Sequence, residues 1–152
     1  MRFKTLLMLV VFAAPMYLLS QTPSSNPPLP TGWIDGSKNP ELIPDQSSYR
    51  LVLAHLRALI SAPASKQSAA YGQIGLSAPD TLILQNQVAA FDGRSSQWQA
   101  QAGLSPSASD EQIVQAMVLA TRDAIIKGLT PGGASKFVQY VQQEKAHMIV
   151  RP

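Results

Sequence analysis

The chain contains no cysteine and few charged residues. The absence of cysteine excludes several classes of function. Charged side chains make up 14% of its 152 residues, against about 25% in typical soluble domains. Without cysteine there is no disulfide, no thiol nucleophile, no thiolate metal ligand and no cysteine for lipid attachment. Stability must therefore come from packing, and any chemistry from other residue types.

The N-terminus has the layout of a secretory signal peptide. Arg2 and Lys4 precede residues 6–19, an uncharged and largely apolar stretch of 14 residues that ends before Ser20. A transmembrane anchor, the alternative, needs roughly 20 apolar residues, whereas the apolar region of a signal peptide spans roughly 7–15. The sequence predicts a signal peptide over residues 1–20, cleavage close to Ser20, and export to the periplasm or the outside of the cell.

Removal of this segment removes most of the net positive charge that would suggest a nucleic-acid partner. The full chain has 12 Lys and Arg against 9 Asp and Glu, so loss of Arg2 and Lys4 leaves a net charge of +1. The remainder contains no run of basic residues. Because phosphate-binding surfaces need clustered Lys and Arg, we expect no nucleic-acid partner and contact with the membrane only during export.

Proline and small polar residues dominate the stretch after the predicted cleavage site. Residues 21–31 carry four prolines and predict an extended spacer. Turn signals at Asp35-Gly36 and Asn39-Pro40 lie among apolar residues and predict a loop that packs on the domain. The chain thus divides into the signal peptide, a Pro-rich linker and packed loop over 21–44, and a helical domain over 45–152.

Apolar residues recur at helical spacing through the rest of the chain, where no stretch shows a convincing strand pattern. Asp45 is expected to cap the first helix. The apolar stripe of that helix comprises Tyr49, Val52, Leu53, Leu56, Leu59 and Ile60. A shorter helix is predicted to end near Ile74.

Three longer helices are predicted further along the chain, over about residues 78–102, over 109–127 and from 131 onward. Asp92-Gly93 could break the first of these. The inward face of the second is expected to carry Ile113, Met117, Ala120 and Ala124, with Val114, Val118 and Ile125 beside them. The predicted fold class is all-α: a small irregular bundle of four to five helices after a signal peptide and an extended linker.

A short sequence motif recurs at three predicted helix ends. Gly75, Gly103 and Gly128 are each followed by Leu, then Ser or Thr, with a proline close behind. Glycine after a helix end accepts the left-handed conformation, the hydroxyl caps the next helix, and proline is tolerated in its first turn. The motif therefore predicts three helix–helix corners.

Titratable residues that could form a catalytic or metal site are sparse. His55 lies at the edge of the first apolar stripe and His147 near the C-terminus, and no pair of histidines has the spacing of a zinc helix. Alternating oxygen ligands occur at Asp35, Ser37, Asn39 and Glu41, as in a calcium loop. Pro40 and Gln46 occupy the positions where such a loop needs glycine and an acid, so a plain turn is favoured. No metal site, cofactor site or catalytic residue is predicted.

Two tryptophans are the candidates for contact with a partner. These are Trp33 and Trp98, with Tyr49, Tyr71 and Tyr140 behind them. A tryptophan in a small domain is commonly a core or boundary residue, so a binding groove requires that one of the two be exposed.

Two segments carry a family resemblance. The stretch IDGSKNPELIPD from Ile34, together with Leu129-Thr130-Pro131 and the following Tyr140-Val141, Lys145 and Met148, resembles a group of small exported bacterial proteins of unknown function. The resemblance implies export and no assigned activity. Leu-Thr-Pro before a Gln-rich helix is also similar to stress-response periplasmic chaperones, although Gly133 replaces the glutamine of their motif.

These observations predict an exported, non-enzymatic helical module that binds a protein or peptide partner. Helix faces rich in glutamine and poor in charge also permit the alternative of a structural subunit that self-assembles. A small hydrolase or metal-dependent enzyme built on His55 and a carboxylate is the third interpretation, and the sequence favours it least.

Overall fold

The computed structural model describes residues 29–102 and 108–151, and it confirms the all-α class. These residues form five α-helices: α1 Asp45–Ala58, α2 Ala64–Ile74, α3 Ala78–Ala102, α4 Ala108–Gly128 and α5 Pro131–Glu144. Three 3₁₀ turns lie at Pro40–Leu42, Leu59–Ser61 and Lys145–His147. Two strands of two residues each complete the fold: β1 Ile34–Asp35 and β2 Ile149–Val150. Ser20 and the predicted corner at Gly103 lie outside the described residues.

The core lies where α1 meets the other long helices. Helices α3 and α4 form the most extensive pair, α1 packs on both, and α5 packs on α1, α2 and α4. The largest fully buried side chains include Leu53, Leu56, Leu84, Ile125, Phe137 and Val141. Burial of one such side chain stabilises the fold by about 1.5–3 kcal/mol, so these helices hold together through apolar contact, as expected without disulfides.

Helix α1 follows the predicted stripe over most of its length and departs from it at both ends. Pro44, rather than Asp45, occupies the N-cap position, and no side chain caps the helix. Ile60, predicted to point inward, is 41% exposed. The reason is that the chain tightens into a 3₁₀ turn at Leu59, which changes the angle between successive side chains.

Helix α4 buries a face one position away from the predicted one. Val118, Thr121 and Ile125 are buried, whereas Ile113 is 45% exposed and Ala120 is also exposed. Val118 and Ile125 were expected beside the inward face, and Thr121 was missed because it is polar. Its hydroxyl donates to the Met117 carbonyl at 2.7 Å and accepts from Arg94 at 2.9 Å, so both hydrogen-bonding roles are satisfied in the interior.

The predicted corners differ in how they turn. Gly75 ends α2 with φ +71°, the left-handed conformation that was expected. Gly128 instead remains the last residue of α4 and has no positive φ. There the Leu129 amide continues the helical pattern by donating to the Ile125 carbonyl, and Thr130 makes the turn. Asp92 and Gly93 do not break α3, which is continuous through both.

The α4–α5 corner is tied to the start of α3 by a buried carboxylate. Asp80, 2% exposed, accepts hydrogen bonds from the Thr130 amide at 2.9 Å, the Thr130 hydroxyl at 2.7 Å and the Ser77 hydroxyl at 3.0 Å. Thr130 in turn caps α5 by accepting from the Gly133 amide. These donors, the Thr130 amide first, lower the pKa of Asp80. We call Ser77, Asp80, Thr130 and Gly133 the Asp80 junction.

The two ends of the described chain meet in a small antiparallel ladder that the sequence did not predict. Ile34 pairs with Val150 and Asp35 with Ile149. The Gly36 amide donates to the Met148 carbonyl at 2.8 Å, and a Cβ on Gly36 would overlap the Lys145 carbonyl oxygen. This close approach requires glycine. Such pairing depends on residues more than 110 positions apart, which no local pattern reveals.

Candidate ligand groove

A groove of about 640 Å³ opens between α1, α3 and α4. Its volume lies within the roughly 300–1,000 Å³ that is typical of ligand sites. It lies beside the C-terminal half of α3 and the N-terminal half of α4, which carry the lining residues of those two helices. We call it the Trp98 groove after its largest side chain.

Small residues on α1 leave room for this groove. Ala54 and Ala58 line it one helical turn apart, and Ser61 continues the wall in the 3₁₀ turn. Residues four apart lie on the same face of a helix, so the two alanines leave a shallow strip where larger side chains would fill the space. The sequence signal was present but weak, because alanine is equally common on solvated helix faces.

Aromatic and aliphatic side chains form the floor of the groove. Phe91 is 6% exposed and contributes to the core, while Trp98 lies two turns further along α3 and is half-buried. Val114 and Met117 line the opposite side from α4. A half-buried tryptophan on the same face of α3 as a buried phenylalanine offers apolar area to a ligand while the helices stay folded.

Two ion pairs cross from α1 to the other two helices at the rim. Arg57 pairs with Asp92 of α3 and also donates to the Ser96 hydroxyl at 3.2 Å. Arg50 pairs with Glu111 in the first turn of α4. Both pairs are partly exposed, with side-chain accessibilities of 29–48%, so they contribute little to stability. Their main effect is to surround an apolar floor with charge of both signs.

Besides Asp80, two carboxylates, Asp45 and Asp35, have a lowered pKa, and both lie away from this groove in structural roles. Hydrogen bonds from Lys145 and Gln142 lower the pKa of Asp45, which fixes the start of α1 to the C-terminal segment. Two hydrogen bonds from Ser37 lower the pKa of Asp35. These bonds close a turn in the segment considered for calcium binding, and Lys38 also faces that carboxylate at 3.7 Å.

The structure separates the residues that the sequence singled out for partner contact. Trp98 lines the groove, whereas Trp33, 42% exposed, lies beside β1 and is not among the lining residues. Tyr49, Tyr71 and Tyr140 are buried in the core, and burial raises the pKa of each phenol. Trp98, and not Trp33, therefore lines the groove.

The two histidines converge on a second, smaller groove that the sequence did not predict. His55 of α1 and His147 line a space of about 320 Å³ together with Glu144 and Tyr140. Both histidines are exposed. Among residues 29–102 and 108–151, no group of three His, Cys, Asp or Glu side chains is arranged to hold a metal ion. The juxtaposition arises because α5 returns along α1.

Sequence reasoning missed the charged rim of the Trp98 groove. Arg50 and Arg57 lie seven residues apart, a spacing that places both on one face of α1. Their partners are distant in sequence, by 61 residues for Glu111 and 35 for Asp92. The helical spacing could have indicated a basic edge on α1, but only the packing of α1 on α3 and α4 shows what that edge contacts.

Comparison with known proteins yields no relative: no family model, curated protein or solved structure matches this chain. Within the described part of the chain, no helix has both the length and the apolar character needed to cross a membrane.

Proposed function

We propose that this protein is an exported, non-enzymatic helical module that binds a peptide segment of a partner protein in the Trp98 groove. The observation that carries the proposal is the groove itself. It combines an apolar floor, a half-buried tryptophan and a charged rim on three helices of the bundle. This combination is typical of recognition sites, in which buried aromatic residues supply affinity and a polar rim supplies orientation.

The contacts at the rim support recognition more than chemistry. Each rim arginine is paired with a carboxylate from a different helix. These pairs bridge α1 to α3 and α4, contribute little to stability, and leave the apolar floor between them. The histidines, which would be the natural proton-transfer groups at neutral pH, line the other groove.

Export is part of the proposal and is supported by the N-terminal sequence. A basic start, an uncharged apolar stretch of 14 residues and a small residue at position 20 match the features of a cleaved signal. We expect N-terminal sequencing of the exported protein to begin close to residue 21. Recovery of intact Met1 from the membrane fraction would contradict this part of the proposal.

Self-assembly is the alternative function, and exposed apolar side chains favour it. Leu82, Leu42 and Ile149 are each more than half exposed, at 59%, 57% and 53%. If they cover one another between copies, light scattering will show a mass that rises with concentration. A monomer at all concentrations would leave partner binding as the better explanation.

Site-specific photocrosslinking tests the binding function. A photoreactive amino acid in place of Gln99, which lines the groove, should capture a partner in cells that produce the protein. The same substitution at Gln143, exposed on α5, is the matched control and should not. Trp98→Ala should abolish capture from position 99, whereas Trp33→Ala should not. Equal capture from both positions, or capture that survives Trp98→Ala, would contradict the proposal.

A further inference from the structure

We infer that the segment bound in the Trp98 groove carries lysine or arginine beside an apolar stripe. This inference rests on the proposed binding function and adds the chemical class of the partner. Three properties of the groove support it: its length, the excess of carboxylates at its rim, and the position of the tryptophan among them.

The length of the groove suits a short helix. On α1 the lining includes Arg50, Ala54 and Ala58, which span about 12 Å at 1.5 Å per residue. An occupant of two to three turns can place apolar side chains at positions i, i+3 or i+4, and i+7 along such a wall. The alanines allow the backbone of that helix to approach closely.

Carboxylates outnumber guanidinium groups around the groove. Three acidic side chains line it, Asp92, Asp110 and Glu111, against the two arginines Arg50 and Arg57. Arg57 is paired with Asp92 and Arg50 with Glu111, but a carboxylate has about four acceptor sites and can take further hydrogen bonds from a ligand. The rim is therefore complementary to a cation.

The size of this preference can be bounded. Asp110 and Glu111 lie in the first turn of α4, where the helix dipole contributes roughly half a positive charge. That contribution offsets part of the negative excess, and the carboxylates are partly exposed, so each contact with a cation is weak. We expect a preference for a basic over an acidic segment of about three- to tenfold at low salt.

Trp98 favours the same chemistry. An indole face attracts a lysine or arginine head within about 6 Å of the ring. The aliphatic stem of such a side chain can also cover apolar surface while its charge stays in water. Met117 and Val114 provide that surface opposite Trp98. A basic amphipathic segment thus uses the floor and the rim together.

Three synthetic peptides test the inference directly. They share one length and one leucine stripe and carry Lys, Gln or Glu at the flanking positions. Each is titrated into the purified Trp33→Phe chain, in which Trp98 is the sole remaining tryptophan because the sequence has two. The Lys peptide should shift Trp98 fluorescence with the lowest Kd, and its advantage over the Glu peptide should shrink at 1 M salt, where the Debye length is about 3 Å.

A matched pair of variants locates the preference. Glu111→Gln should bring the Lys and Glu peptides to similar Kd values, whereas Glu41→Gln, away from the groove, should leave the ratio unchanged. Equal or tighter binding of the Glu peptide, or a Lys preference that survives Glu111→Gln, would overturn the inference and leave the proposed function standing. Failure of all three peptides would also overturn it, and crosslinking at position 99 then shows separately whether the binding function fails as well.

Discussion

The Asp80 junction and the Trp98 groove lie on the same helix, α3, yet their polar groups are used differently. At the junction a buried carboxylate accepts three hydrogen bonds from residues near the starts of α3 and α5. At the groove Asp92 and Glu111 are partly exposed and pair with arginines of α1 around an apolar floor. Buried, fully satisfied polar groups specify one arrangement, whereas exposed pairs leave a surface available for binding.

The same contrast appears in the aromatic residues. Phe137 on α5 is fully buried and packs against Tyr49 with ring centroids 6.2 Å apart. Trp98 near the end of α3 is only half-buried. Because the free energy of burial scales with the area removed from water, we expect Phe137 to stabilise the fold and Trp98 to contribute mainly when a ligand covers it.

Replacement of these two aromatic residues should give the largest difference between the regions. Phe137→Ala is expected to lower the free energy of unfolding by about 3–5 kcal/mol, as deletion of a buried phenylalanine leaves a cavity. Trp98→Ala should cost less than half as much, because solvent already reaches its side chain. Chemical denaturation of both variants measures the difference, and equal losses would contradict the contrast.

Close packing of glycine at the junction predicts the next largest effect. A Cβ on Gly133 would overlap the Asp80 carboxylate, whereas a Cβ on Gly132 meets nothing within 4 Å. Gly133→Ala should therefore destabilise the protein by about 1–3 kcal/mol through overpacking. Gly132→Ala, its neighbour in α5, should be neutral or stabilising by up to about 1 kcal/mol. Thermal unfolding of the two single variants provides the comparison, and similar melting temperatures would refute it.

Acid should weaken the junction before it affects the apolar packing. The pKa of Asp80 is lowered in the folded state, so its contribution is fully present above the unfolded value of about 3.9 and is lost as the pH falls below it. Asp80→Asn should make the free energy of unfolding less dependent on pH in that range. Asp123→Asn, which changes a 65% exposed side chain, is the control, and an unchanged slope in Asp80→Asn would contradict the assignment.

The ion pairs of the groove should give the smallest effect on stability. Arg57→Ala removes a partly exposed pair with Asp92 and is expected to cost roughly 0.2–1 kcal/mol. A double-mutant cycle with Asp92→Ala measures the coupling between the two side chains. A coupling above about 2 kcal/mol would show that the rim holds the bundle together, as the junction does, and would remove the distinction between the two regions.

Several elements could be predicted from the sequence because their determinants are local. The five helices follow from apolar periodicity, and the corner at Gly75 follows from its need for a left-handed residue. Thr130 was correctly expected to cap the next helix. Ile60 and the centre of the buried face of α4 were predicted wrongly, because a 3₁₀ turn and a satisfied buried threonine change which side chains point inward.

The sequence by itself determined the helical class and the order of the helices, because these depend on residues within a few turns of one another. Only the tertiary structure decided which tryptophan lines a groove, which carboxylate is buried and how the chain ends pair. Asp80 and Thr130 are 50 residues apart, and Ile34 and Val150 lie at opposite ends of the described chain. Such contacts depend on how amphipathic helices pack together, and many packings satisfy the same local pattern until all the faces are buried at once.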